Sequence, residues 1–386
     1  MLIITQVLQF IVFFSFIFPF LVFGTYGIIL LYYKNRKQEP QISLDNKIIF
    51  EPQVSVITPT HNEELIISKK IENLLSSNYP KEKIEIIFVD DSNDSTPDII
   101  AEYSEKFPRV HLIHLNSRMG YSPCMFEGIR SSQGEVIVLS DAGSFHDENT
   151  IRNLVRNFNN PKIGAVTGQD IILNPEENIG KSEGLYQKIY NFVRTAETNM
   201  DSTFYFKGEA SAVRKSLISD LESFGATFDT AVALFVRQKG YKTIFDPSVK
   251  FYEYAPKTRN ERIKQKTIRA AGWIKILLKF KEMIFNPKYG KFGLLTLPAN
   301  FAMLIIIPSI ILVGVSLLIP LTFFAPIFSL TVWSILGLLA LLSYGVSRHL
   351  LSTFLDFEFS LVKALYEILF TKRKHDQIDT VASTRR

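Results

Sequence analysis

Cysteine is almost missing from this chain of 386 residues, in which Cys124 stands alone. That excludes a disulfide framework and a cysteine cluster for zinc, and it fits a main domain kept in a reducing compartment. Charge is missing from two long stretches: residues 2–33 and 292–347 contain no Asp, Glu, Lys or Arg. A bilayer crossing takes about 20 apolar residues, so the first stretch is long enough for one helix and the second for two. The first stretch also lacks a basic region ahead of it and a small-residue cleavage site. It far exceeds the roughly 7–15 apolar residues of a signal peptide and reads as a retained anchor. Internal repeats, low-complexity tracts and a Gly-x-Ser-x-Gly elbow are absent as well, which removes the serine hydrolase reading.

The charge that is present is placed unevenly. Lys34, Arg36 and Lys37 follow the first apolar stretch, Lys291 and Arg348 flank the second, and the tail reads Thr371-Lys-Arg-Lys374. Basic residues near span ends stay on the cytoplasmic side, which predicts three crossings of the cell membrane, with the middle region and the C-terminus cytoplasmic. Residues 350–370 are apolar too, but Asp356, Glu358, Lys363 and Glu367 would each cost about 2.5–3.5 kcal/mol at mid-bilayer. An amphipathic helix lying along the interface is expected there. From Lys257 to Lys291, eleven Lys or Arg face only Glu261 and Glu282, interleaved with Ile263, Ile268, Trp273, Ile276, Leu277, Leu278, Phe280 and Ile284. Nucleic acid is the competing partner for such a stretch. Its position beside a transmembrane segment favours an anionic membrane surface and no nucleic acid. The expected division is an anchor at 1–33, a cytosolic domain at 34–256, basic amphipathic helices at 257–290, two spans at 291–347, and an amphipathic helix with a basic tail at 348–386.

Within the middle region, short β-rich apolar runs at 54–58, 84–89, 110–114, 135–140 and 163–167 alternate with helical patterns around 64–76, 96–106, 122–132 and 148–158. This βαβα alternation predicts an α/β domain with a mostly parallel sheet covered on both faces. Ligands of such sheets bind beyond the carboxyl ends of the strands. Those ends read Pro59-Thr-His-Asn-Glu63, Asp90-Asp-Ser-Asn-Asp-Ser-Thr96 and Asp141-Ala-Gly143. Asp94 is read as a helix cap. Asp90, Asp91 and Asp141 together are read as a polar ligand or cation site, against the alternative of caps and turns. Ile179-Gly-Lys-Ser182 has the form of the end of a phosphate-binding loop, but the first glycine falls on Pro175, which has no N–H to offer a phosphate. An ATPase is therefore not indicated.

Val54-Ser-Val-Ile-Thr-Pro-Thr-His-Asn-Glu63, Val89-Asp-Asp-Ser-Asn-Asp-Ser-Thr96 and Gly134-Glu-Val-Ile-Val-Leu-Ser-Asp-Ala142, in that order and spacing, resemble the nucleotide-sugar half of an inverting family 2 glycosyltransferase. The resemblance covers roughly residues 52–275. It implies a GT-A (Rossmann-like) domain, here fused to transmembrane and interfacial helices. It further implies a UDP- or GDP-sugar donor, with Pro59, Thr60, His61, Glu63, Asp90 and Asp91 at the base and ribose. Asp141 would then work through Mg or Mn on the diphosphate, with Arg118 as a further donor-side cation. Lys207-Gly-Glu-Ala-Ser-Ala-Val-Arg214 resembles the acceptor-side loop, which assigns Gly208, Glu209 and Arg214 to that side. Gly225-Ala-Thr-Phe-Asp229 resembles the segment that carries the catalytic base, which makes Asp229 the candidate, an N-cap of the helix 230–238 being the other reading. Gln265-Lys-Thr-Ile-Arg269 followed by Gly272-Trp273 resembles, with Arg one place late, the Gln-x-x-Arg-Trp motif of membrane polysaccharide synthases. That places Gln265 on the acceptor side and Arg269 near the leaving diphosphate.

The departures are specific. Gly143 stands where the second Asp of Asp-x-Asp would be, leaving Asp141 with His146 or Asp147 as the only near candidates to join it. Tyr121 and Phe126 replace a usual Lys and Asn, and Phe228 replaces an acid beside Asp229. The expected activity is inverting transfer of a sugar to a membrane-associated lipid acceptor, either polyprenyl phosphate or a glycolipid. A processive polysaccharide synthase is the alternative, and a degenerate, non-catalytic nucleotide-sugar or partner-binding protein is the second alternative.

Overall fold

The computed structural model describes residues 2–36, 50–219 and 227–370. Its centre is an eight-stranded mixed sheet in the order β3-β2-β1-β4-β7-β6-β8-β5. The first four are β1 (Val54–Thr60), β2 (Ile84–Asp90), β3 (Val110–His114) and β4 (Val136–Leu139), all mutually parallel. β1, β2 and β4 are the strands whose near-continuous apolar runs betray burial on both faces, while β3 at the edge is largely half-buried or exposed. Alternate residues divide between two cores. Val54, Val56, Ile86, Phe88 and Val138 pack with α2 (Ile67–Leu75), while Ile57, Ile87, Val89 and Leu139 pack with α4 (Tyr121–Ser131).

The other half of the sheet is where sequence reading was thin. β5 is the short Phe145–His146, and β6 (Ile163–Ile172) runs five residues past the expected strand. α6 (Asn178–Met200) then leads to β7 (Ser211–Arg214), which runs antiparallel to both β4 and β6. α7 (Phe228–Gln238) precedes β8 (Lys242–Glu253), which is parallel to β6. The reversal at β7 decides the geometry. Ser211 pairs with Leu139 and Arg214 with Val136, so the loop before β7 arrives at the carboxyl end of β4 and Arg214 departs from it. The register of β6 and β8 pairs Ile172 with Glu253, which carries Asp170 and Glu253 to the same end of the sheet.

Among the described residues, three helical segments are long and apolar enough to cross a membrane: Ile3–Lys34, Phe292–Phe324 and Pro326–Gly345. The first belongs to α1 (Leu2–Lys34), and the last opens α11 (Pro326–Phe370). The middle one contains π-helical turns at Phe292–Thr296 and Ala302–Ile306. Pro298 and Pro308 follow these turns and cannot donate into the helical ladder, so the backbone widens just before each. At Gly314 an added Cβ would lie 2.0 Å from Ser15 Oγ, so the small residue lets the first two segments touch.

Residues 350–370 were expected to form a separate surface helix, but α11 continues through them without a break. The charge of Asp356 is met by protein: Arg259 Nη2 lies 2.7 Å and Arg262 Nη1 2.6 Å from it. Both arginines belong to α8 (Arg259–Lys279). The apolar side chains of α8 expected to meet lipid also turn inward. Trp273, Ile276, Leu277 and Phe280 are buried against Phe204, Leu234, Leu361 and Ala364, because α11 and α7 cover that face. Lys264, Lys275, Lys279, Lys281 and Leu278 remain exposed. The tail at 371–386 lies outside the described residues.

Candidate active site

Beyond the carboxyl ends of the parallel strands, the sequence-nominated acids fall into two groups. On the β1–β2 side, Thr60 Oγ1 donates to Asp90 Oδ1 at 2.7 Å, Ser92 Oγ donates to the same oxygen at 2.6 Å, and His114 Nδ1 lies 3.0 Å from Oδ2. Asp91 is held by His61 Nδ1 at 2.9 Å, Arg118 Nη1 at 2.8 Å, and the backbone N–H groups of Met119 and Gly120, both at 2.9 Å. Burial works against its charge, but those N–H groups and Arg118 hold the carboxyl below its ordinary value. Asp91 thus fixes the 118–120 loop and His61, while Asp90 ties the end of β1 to Ser92 and His114. Pro59 lies on β1 opposite Val89. Glu63, buried, donates its backbone N–H to Thr96 Oγ1 at 2.8 Å. Asp94 accepts from Thr96 N at 3.0 Å ahead of α3 (Thr96–Lys106), where Ser95, not the expected Asp94, is the N-cap.

The second group is tighter. Tyr121 Oη donates to Asp141 Oδ1 at 3.0 Å. An added Cβ on Gly208 would stand 2.8 Å from that same Tyr121 oxygen and 3.7 Å from Asp229 Cβ, so only a glycine fits between them. Asp229 lies in the first turn of α7, and Thr227, not Asp229, is the N-cap. Its Oδ2 accepts from Gly208 N at 2.9 Å and its Oδ1 from Thr230 N at 2.8 Å. Glu209, buried, is met by Arg269 Nη2 at 3.1 Å. Burial and the nearby Glu209 push the carboxyls of both Asp141 and Asp229 up to about 7. Burial also opposes the charge of Arg269, yet Glu209 and Glu253 hold the guanidinium above its ordinary value. Gln265 lies on α8 one turn before Arg269.

Three nominated residues sit elsewhere in the fold or face away from Asp141. Arg214, read as acceptor-side, is at the far end of β7, where Nε donates to the Ile163 carbonyl at 2.9 Å and Nη2 to that of Phe158 at 2.6 Å. The antiparallel course of β7 put it there. His146 turns Nε2 to the Glu209 carbonyl at 2.8 Å, and burial pushes its imidazole down to about 3. Asp147 accepts from Asn149 N at 3.1 Å ahead of α5 (Thr150–Val155). Neither joins Asp141. Gly225 and its neighbours at 220–226 lie outside the described residues.

Sequence reading passed over Lys70, Lys207, Asp170, Arg194 and Glu253. Lys70 falls on the apolar stripe Ile67, Ile71, Leu74 of α2, fully buried, with Nζ donating to the Ser144 carbonyl at 2.6 Å under the Asp141 loop. Its position in that stripe was the available signal. Lys207 Nζ lies 3.1 Å from Asp170 and 3.9 Å from Glu253, and Arg194 lies 3.3 Å from Asp170. Burial, with Glu209 and Asp170 close by, pushes Glu253 up to about 8 despite Lys207. Nothing local marked these side chains, since they depend on where β6 and β8 end.

Among the described residues no three His, Cys, Asp or Glu side chains gather as a metal site. Asp141 is one carboxylate in a pocket of like charge, and a cation would relieve that repulsion. One carboxylate suffices for magnesium when substrate phosphates supply other ligands, so the residues fit a cation shared with a diphosphate.

Residues 55–221 match the family described as Glycosyl transferase family 2. The likeness to that family is carried by this segment of the chain. Among curated proteins, the chain is similar to the Bacillus subtilis protein named "Probable glycosyltransferase YdaM". The two are 30% identical over 258 residues, covering 61% of this chain and 59% of that protein. It is also similar to poly-beta-1,6-N-acetyl-D-glucosamine synthase of Staphylococcus aureus, 24% identical over 63% of this chain and 58% of that protein. The chain thus spans about three fifths of the length of these relatives. Among solved structures, the mannosyltransferase PcManGT of Pyrobaculum calidifontis, in complex with GDP-Man and Mn2+, superposes with a TM-score of 0.76. It is 24% identical and covers 95% of this chain and 100% of its own, which shows a shared fold, the GT-A sheet together with the arrangement of the helices.

Proposed function

We propose that this chain is a family 2 glycosyltransferase that transfers a sugar, with inversion, from a UDP- or GDP-sugar to a lipid-linked acceptor at the cytoplasmic face of the cell membrane. The observation that carries the reading is Asp229, held by the Gly208 and Thr230 N–H groups beside Asp141 and raised to about 7. A base poised near neutral pH is suited to take the proton of an attacking group. The donor's base and ribose lie along His61, Arg118 and the 59–63 segment. A divalent cation on Asp141, when bound, neutralises the departing diphosphate. Arg269, joined to Glu209, adds a positive charge on the leaving-group side.

The cytoplasmic placement is supported at the ends of the first two spans. Lys291 stacks on the Tyr33 ring at 4.8 Å from its centroid and Arg36 on the Tyr32 ring at 4.0 Å, an aromatic and basic belt at one membrane level. The second reading, a processive synthase, is favoured by the likeness to a poly-beta-1,6-N-acetyl-D-glucosamine synthase. Nucleoside diphosphate release by the detergent-solubilised chain, across UDP- and GDP-sugars with and without Mg²⁺ or Mn²⁺, tests both. Release abolished by Asp229→Asn supports the transferase. A ladder of products in place of single additions favours the synthase, and donor binding without release under any condition refutes both.

A further inference from the structure

We infer that the nucleophile accepted by this site is a neutral sugar hydroxyl of a glycolipid, not the phosphate of a lipid phosphate. The inference rests on the transferase reading above and narrows its acceptor. Four carboxyl groups, Asp141, Glu209, Asp229 and Glu253, face one cleft. Asp229 and Glu253 are raised first by burial and then by the neighbouring Glu209, so the cleft opposes a further negative charge. The donor does not change that balance, since its diphosphate and a divalent cation cancel.

The cations a phosphate would need are already bonded to protein. Arg269, on Glu209 at 3.1 Å, is already assigned to the leaving diphosphate, while Lys207 is on Asp170 at 3.1 Å and Arg194 on Asp170 at 3.3 Å. Further along α8, Lys266 lies 3.3 Å from Glu183, and Arg262 bonds both Glu183 and Asp356. Lys70 is committed to the Ser144 carbonyl. A phosphate entering here would have to strip an ion pair from a buried carboxylate while adding its own charge beside the others.

A hydroxyl brings no charge and needs what the site has, a carboxylate to receive its proton. The balance is complete: the acceptor oxygen bonds the donor's anomeric carbon, the bond from that carbon to the diphosphate breaks, the diphosphate leaves with the electron pair, and the proton passes to Asp229.

The test uses the full chain in detergent with the donor that supports nucleotide release. Four acceptors run in parallel: polyprenyl phosphate, a diglycosyl diacylglycerol, an alkyl glycoside and a free oligosaccharide. The expected result is release stimulated at least about tenfold by the diglycosyl lipid or the alkyl glycoside, lost in Asp229→Asn, with a product whose new bond survives mild acid. Stimulation by the free oligosaccharide alone would overturn the lipid source. Stimulation by polyprenyl phosphate alone, with an acid-labile product, would overturn the inference and leave the transferase standing. No release with any donor and acceptor would overturn the transferase reading itself.

Discussion

Replacing Asp229 by asparagine should separate stability from catalysis, because the structure charges the folded protein for keeping this carboxylate. Raising an aspartate from its ordinary 3.8 to about 7 corresponds to about 4 kcal/mol against the ionised form. The sign follows from linkage: a raised carboxyl contributes its stability below pH 3.8 and loses it as pH climbs through about 7. Asparagine escapes this loss but accepts only one of the two N–H groups from Gly208 and Thr230, at a cost of about 1 kcal/mol. The variant should therefore match the parent at pH 4–5 and exceed it by roughly 1–3 kcal/mol at pH 8. That is a rise of about 2–4 °C per kcal/mol in thermal unfolding, measured in detergent with EDTA. Activity should fall about 10²–10⁴-fold. In the parent, kcat/KM should rise with pH through about 7 as the base ionises. A variant less stable than the parent at pH 8, or a difference that does not change with pH, would refute the electrostatic reasoning.

Three other substitutions discriminate among the neighbouring residues. Gly208→Ala places a methyl 2.8 Å from Tyr121 Oη; displacing the ring should lower kcat about 10–100-fold while thermal unfolding moves by no more than about 1 kcal/mol. Arg214→Ala removes the donor to the Phe158, Asn160 and Ile163 carbonyls. It should cost roughly 1–3 kcal/mol of stability with kcat/KM of the folded enzyme unchanged to within about twofold, and a large loss of kcat/KM at unchanged stability would restore it to the acceptor side. Asp356→Ala leaves Arg259 and Arg262 without their shared carboxylate; it should cost about 3–5 kcal/mol in thermal unfolding.

The parallel half of the sheet was legible in the chain because each of its strands is a contiguous apolar run ended by a polar motif. Asp90, Asp91 and Asp141 could be found by reading strand ends alone. What decides the acceptor half is not contiguous. β7 is four residues long, and nothing in Ser211–Arg214 tells a reader that it runs antiparallel to β4. Arg214 was therefore assigned to the wrong end of its own strand, while Glu209, five residues earlier, reached the site. Glu253 was missed with the full length of β8, whose pairing with β6 shifts twice at irregular positions. Asp356 was read as a charge needing a water interface because its partners lie 94 and 97 residues away. Long-range ion pairs leave no local trace.

The acids of this site are held apart by main-chain donors and glycine, and not by buried counter-charge alone, which gives the cleft its chemical character. Asp229 is fixed by two backbone N–H groups, Asp141 by a tyrosine hydroxyl, and Gly208 admits both because it has no side chain. Such neutral restraints orient the carboxylates without quenching them, so the repulsion among them persists until ligand arrives. In the reaction proposed above, a cation shared with the diphosphate would relieve Asp141 and a proton from the acceptor would relieve Asp229, so the repulsion stored among these carboxylates would contribute to binding and turnover.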